Sequence, residues 1–106
     1  MRLRKRREYT AVQNNGARVH GSHFIAVVAR PAAGAPSGRA GITVSRRVGN
    51  AVLRNRVKRL VREALRHEPW VGCDVVIIAK RSVASLDGAA MVRRELARMR
   101  SRSGSC

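Results

Sequence analysis

Aromatic side chains are almost absent from this sequence, which holds one Trp, one Tyr and one Phe among 106 residues. Cysteine is nearly as scarce. Cys73 lies beside an apolar run and Cys106 at the last position, an arrangement that makes neither a disulfide framework nor a metal-ligand cluster. Cys73 therefore reads as a small buried apolar residue, and a reducing cytoplasm is the expected location. No apolar run approaches the roughly 18 residues of a membrane span. The basic opening from Arg2 to Arg7 runs into Glu8 without the apolar stretch of a secretory signal. No pair among the six acids converges anywhere obvious in the sequence. Ser45 and Ser82 have neither a nearby histidine nor a glycine-rich elbow, so no hydrolytic residue set is visible on the protein. His20 and His23, three apart in extended chain, point to opposite faces and share no metal ion.

What the chain has in excess is positive charge. Lys and Arg total 23, for a net charge of +17, and a charge this large repels itself unless a polyanion compensates it. Nucleic acid, an anionic membrane and an acidic protein all meet that need. A chain of this length builds one core and therefore one domain, 1–106. Residues 1–5 are expected to form a flexible basic arm and residues 101–106 a frayed tail.

Along the chain, residues 6–15 place Tyr9 and Val12 on one side of a short helix that Gly16 stops. Val19 belongs to a short first strand, and Phe24 to Val28 is a partly β-branched apolar run. Pro31, Gly34, Pro36 and Gly38 mark the stretch from Arg30 to Arg39 as a loop. Ile42 and Val44 alternate with polar or small residues and predict a strand that gives out at Arg46. Residues 51–67 form a helix capped by Asn50 and free of Gly and Pro. Val75 to Ile78, apolar at every position, suits a central strand covered on both faces. Asp87 can cap a last helix in which Ala89, Val92, Leu96 and Met99 recur at helical spacing. The whole is an α+β sandwich on a mixed sheet of about four strands, with a parallel crossover through the 51–67 helix that the general rule makes right-handed.

At about 100° per residue, Leu53, Val57, Leu60, Val61, Ala64 and Leu65 fall on one side of that helix. The remaining arc carries Arg54, Arg56, Lys58, Arg59, Arg62 and Arg66, with Asn55 near its middle. Guanidinium forks hold two phosphate oxygens at once. A uniform cationic face needs no amide, so Asn55, which both donates and accepts, points to shaped recognition of phosphate or ribose. Only Glu63 opposes the six cations, which is too little mixing for a face that serves solubility alone. The helix also lacks the aromatic anchors that a membrane-surface helix favours.

The segment from Ser45 to Ala64, SRRVGNAVLRNRVKRLVREA, closely resembles the signature of the bacterial ribonuclease P protein subunit, with Arg54-Asn55-Arg56 at its centre. The resemblance extends upstream through Arg6-Arg7-Glu8-Tyr9, Gly16 and Phe24, and downstream through Asp74 to Lys80. It implies an α-β-β-β-α-β-α sandwich with a mixed four-stranded sheet. It also implies a left-handed β-α-β crossover, as in the second domain of a small-subunit ribosomal protein, in place of the right-handed one. It further implies a protein component of ribonuclease P in the cytoplasm, with the catalytic RNA and precursor tRNA as partners and no membrane or obligate protein partner. In that family the RNA and its Mg2+ remove the 5′ leader; the protein contributes no catalytic residue and no metal or cofactor site.

Position by position, the resemblance assigns Arg46, Arg47, Asn50, Arg54, Asn55, Arg56, Lys58, Arg59 and Arg62 to the surface that meets the catalytic RNA. It assigns Tyr9, Val12, Phe24 and Lys80 to a cleft that receives the leader. The family commonly has a second aromatic four residues after the first, where this chain has Gln13. Tyr9 and Phe24 equally suit ordinary core packing. The competing reading is a ribosomal-type structural RNA-binding protein with no part in tRNA processing; a membrane-active cationic peptide is a third. Either RNA reading predicts that affinity falls by about 10³ to 10⁵ between 50 and 200 mM salt if roughly 6 to 10 phosphates are neutralised. A filter-binding series over that range checks it, and a nearly flat response points to another kind of partner.

Overall fold

Two apolar strands paired along their length organise the chain. The computed structural model describes residues 3, 6–30, 38–85 and 88–103. Its elements are α1 (Arg6–Asn15), β1 (Ala17–His20), β2 (Phe24–Ala29), β3 (Ala40–Thr43), α2 (Ala51–His67), β4 (Asp74–Ala79) and α3 (Ala89–Ser103). Short 3-10 turns at Arg46–Val48 and Arg81–Ser85 lead out of β3 and β4. The strands form one sheet in the order β1-β2-β4-β3, antiparallel except for the parallel pair β3 and β4. The α-β-β-β-α-β-α order and the central place of β4 are as the sequence predicts.

Directly paired residues share a face of a sheet, and alternate residues change face. On one face Phe24, Ala26 and Val28 of β2 join Val75, Ile77 and Ala79 of β4. These pack against Val57, Val61 and Ala64 of α2 and Val92, Leu96 and Met99 of α3. On the other face Val27 and Val76 meet Val12 of α1, together with Leu3. The larger cluster is the main core, and Trp70 and Cys73 are buried in it. Cys73 is buried as expected, yet it is not a free thiol.

Buried polar groups hold the joints. Asp74, at the start of β4, accepts from Arg39, with Nη2 at 2.9 Å and the backbone N–H at 3.2 Å. The same guanidinium also pairs with Glu8 of α1, so one arginine ties α1 to the approach to β3 and to β4. Its pKa is raised by hydrogen bonding to Asp74 and by the charges of Asp74 and Glu8, against a smaller opposing effect of burial. Stability from a raised arginine pKa is present at all pH values below the ordinary guanidinium range, so this tie adds no pH dependence of its own near neutrality. Glu95 of α3 reaches the β1–β2 turn, where Oε2 accepts the backbone N–H groups of His23 and Phe24 at 2.8 and 2.9 Å.

Several expectations need correction. The basic arm is not free throughout, because Leu3 is 3% exposed and its N–H donates to Ala40 O at 2.8 Å. Residues 101–103 are not frayed: α3 continues through Ser103, whose hydroxyl donates to Arg100 O; residues 104–106 lie outside the described residues. Val44 lies just past β3 and is buried in the core instead of extending the strand. Asp87 and most of the loop between Arg30 and Arg39 lie outside the described residues.

Phe24 is fully buried. Replacing it with Ala is expected to lower stability by about 3 to 5 kcal/mol through lost burial and a residual cavity. Urea unfolding followed by the emission of Trp70 measures the loss.

Candidate nucleic-acid interface

The cationic helix begins at a built cap. Asn50 Oδ1 accepts from the N–H of Leu53 at 2.9 Å, which satisfies one of the open donors of the first turn. This oxygen is therefore committed to the helix, and only the amide N–H2 of Asn50 is left for a ligand. Just upstream, the turn at Arg46–Val48 buries Val48 and leaves Arg46 and Arg47 exposed. The two guanidinium groups thus extend the positive surface past the start of α2.

Burial of Val57, Val61 and Ala64, with Leu53, Leu60 and Leu65 partly covered beside them, turns the opposite arc of α2 to solvent. Asn55, Arg56, Arg59, Arg62 and Arg66 are exposed, and Arg54 and Lys58 are half-buried. The cations divide between two flanks. Lys58, Arg62 and Arg66 wall a groove of about 470 Å3 along β3, whose other lining includes Tyr9, Gly41 and Trp70. Arg56 lies on the other flank, over Val83 and Ala84. Asn55 and Arg59 occupy the arc between them, by their helical angles. Arg54 stands at the edge of the apolar stripe, and its Nε is buried without a hydrogen-bond partner among the described residues. A donor left in that state costs about 1 to 3 kcal/mol, so Arg54 carries an unmet donor in the first turn of the basic helix.

The residues assigned to the leader cleft do not come together. Tyr9 is half-buried and lies over Gly41, where a Cβ would collide with the ring. Phe24 points to the opposite face of the sheet and is 0% exposed; it has no surface on which a base could stack. Val12, at 4% exposure, plugs Val27 and Val76 and is a core residue too. Lys80 continues the alternation of Val76 and Ile78 onto the Tyr9 face, with Nζ donating to Gly21 O at 2.7 Å. Of the four, Tyr9 and Lys80 are placed to line a surface.

Their true neighbours are residues that sequence reasoning passed over. Ile25 and Ile78 are directly paired, and Thr43 pairs with Ile78. All three are only partly covered by the described residues, which on this face include α1 and Leu3. Arg18 and His20 of β1 complete the exposed rim. The result is an open apolar floor of two isoleucines with one aromatic ring at one side and cations around it. Among the described residues no three His, Cys, Asp or Glu side chains gather to hold a metal ion, and no helix is long and apolar enough to cross a membrane.

An arginine-rich helix packed on a mixed four-stranded sheet marks a small α+β domain built to meet a polyanion such as RNA. Comparison with known proteins narrows this class. The family model for ribonuclease P matches residues 1–103. The ribonuclease P protein component of Desulfovibrio desulfuricans is 45% identical over 94 residues, covering 84% of this chain and 72% of the relative. That of Desulfatibacillum aliphaticivorans is 48% identical over 84 residues, covering 76% and 70%. The RNase P protein from Thermotoga maritima superposes with a TM-score of 0.82 at 30% identity, covering 96% of each chain. The Staphylococcus aureus RNase P protein shares the fold with a TM-score of 0.86 at 24% identity, covering 98% and 95%. The chain belongs to the ribonuclease P protein family, the protein component of a tRNA-processing endoribonuclease.

If Tyr9 supplies the stacking surface, Tyr9→Ala lowers affinity for a short single-stranded RNA by about 1 to 3 kcal/mol. Fluorescence anisotropy with a labelled oligonucleotide measures it, and an unchanged affinity removes the ring from the site.

Proposed function

We propose that the chain binds the catalytic RNA of ribonuclease P through α2 and the turn before it, and receives the single-stranded 5′ leader of precursor tRNA over Tyr9, Ile25 and Ile78. The observation that carries this reading is the outward arc of α2, where an amide stands among six cations on a helix whose other side is locked into the core. The planar guanidinium fork loses less freedom per hydrogen bond formed than a flexible ammonium does, and the helix that carries the forks is held by the core. The unmet Nε of Arg54 gains an acceptor when its side chain turns toward RNA.

The floor beside Tyr9 suits a strand of varied sequence. Every base has a π-face, and stacking on a ring or on aliphatic side chains does not ask which base is present. With Gln13 where a second ring is common, one ring and two isoleucines do this work, and Lys80, Arg18 and His20 offer donors to the backbone. We assign cleavage to the RNA and the Mg2+ it holds, in the cytoplasm, as the family resemblance implies. The ribosomal-type alternative shares the charge but gives no reason for a half-covered apolar sheet face beside the arginine helix.

Reconstitution with the matching catalytic RNA tests the proposal. At limiting Mg2+ the chain should stimulate cleavage of leader-bearing precursor. Arg54→Ala combined with Arg56→Ala should reduce that stimulation at least tenfold, since a charge-assisted hydrogen bond contributes about 1.5 to 3 kcal/mol. Absence of stimulation by the unaltered chain overturns the reading, as does full activity of the double variant.

A further inference from the structure

A second concentration of positive charge lies away from α2. Arg94, Arg98 and Arg102 recur at every fourth residue of α3, all exposed and about 6 Å apart along the helix axis. They form one bank of an open groove of about 710 Å3, and the β1–β2 turn from His20 to Ser22 forms the other. Ser22 and Ser101 add hydroxyl groups to the lining.

Like charges four residues apart repel along a helix, whereas a helix face that serves solubility alternates them with acids. Glu95, the acid of α3, also lines the groove but forms no ion pair with these arginines among the described residues. Glu95 is buried, with Oε2 accepting from the N–H groups of His23 and Phe24. Glu68 pairs with Arg100 instead, at 3.3 Å. Arg94 and Arg98 make no salt bridge among the described residues.

The far bank is held firmly. Lys80 Nζ donates to Gly21 O, Ser82 Oγ to Ser22 O at 3.1 Å, and Arg102 to His20 O. Glu95 also lines the groove, but its Oε2 is held by two backbone N–H groups, so the exposed charge there is that of the three arginines, which is the chemistry of a phosphate-backbone site.

We propose that this α3 groove is a second RNA-binding surface, which takes the backbone of a segment of the catalytic RNA other than the one on α2. The proposal rests on the ribonuclease P reading above. The two helices pack side by side, and each lies toward a different edge of the sheet: α2 against β3, and α3 against β1 and β2. Three strand intervals, about 14 Å, lie between β1 and β3, so the grooves open at opposite edges of the helical layer. The Tyr9 face is on the other side of the sheet and shares only His20 with this groove, which leaves the arginine stripe to another occupant. The occupant is therefore folded catalytic RNA, and the protein clamps two of its segments.

The test is a salt series for binding of the full chain to the catalytic RNA alone, with Arg94→Ala and Arg98→Ala combined. The slope of log affinity against log salt should become shallower by about 2, one unit for each lost phosphate contact. Affinity for a single-stranded leader oligonucleotide should not change, and Arg94→Lys with Arg98→Lys should keep the original slope. Circular dichroism and Trp70 emission should confirm that the fold is intact, since the substitutions remove only exposed side chains. An unchanged slope overturns the proposal, and so does a loss confined to the leader oligonucleotide. The Arg54→Ala, Arg56→Ala variant measured in parallel separates the two levels. If it weakens binding and the α3 variant does not, only the groove proposal falls; if neither weakens it, the ribonuclease P reading falls as well.

Discussion

Everything that faces outward on α2 is aimed by what faces inward. Val57, Val61 and Ala64 press onto the strands of the main core, and a fully buried valine stabilises by about 1.5 to 3 kcal/mol. An exposed ion pair rarely contributes more than about 1 kcal/mol. The apolar stripe therefore decides the rotation of the helix, and the cations must accept the direction it sets. Because the stripe occupies less than half the circumference, a wide arc is left for Arg54 to Arg66, and its flanks reach two different neighbours, the β3 groove and the surface over Val83.

Acid is used in this molecule as a structural material. Of six acids, Glu8 and Asp74 are tied to Arg39, Glu95 to the backbone of the β1–β2 turn, and Glu68 to Arg100. Glu63 stands exposed on α2, and Asp87 lies outside the described residues. The carboxylates thus hold joints between elements in place of neutralising the arginine surfaces. This division lets one small core support a net charge of +17 without blunting the field that an RNA meets.

Much of the fold was legible because its signals are local. The 100° period of α2, its Asn50 cap and the absence of Gly and Pro depend on neighbouring residues only. The orientation of a strand that is apolar at every position was not legible. Phe24 to Val28 and Val75 to Ile78 contain no alternation to say which side faces which layer, so Phe24 could be assigned to a cleft although it belongs to the core. The partial exposure of Ile25 and Ile78 has the same origin, since nothing in an unbroken apolar run marks which residue lies beyond the helix that covers the strand. Leu3 is a further case, since its anchoring depends on Ala40, far along the chain. The α3 arginines were visible as letters, but their facing the β1–β2 turn follows from the reach of Glu95 across the fold.

The Leu3 bond to Ala40 has a further consequence. β1 and β3 are the outer strands of the sheet, and an outer strand with open N–H and C=O groups is a template on which copies of a chain can stack into aggregates. The incoming Leu3 N–H occupies part of the β3 border, and Arg18 on β1 opposes the approach of a like-charged copy at the other. Both borders are thereby guarded against self-association, a hazard for any chain that must wait in its folded form before meeting its RNA.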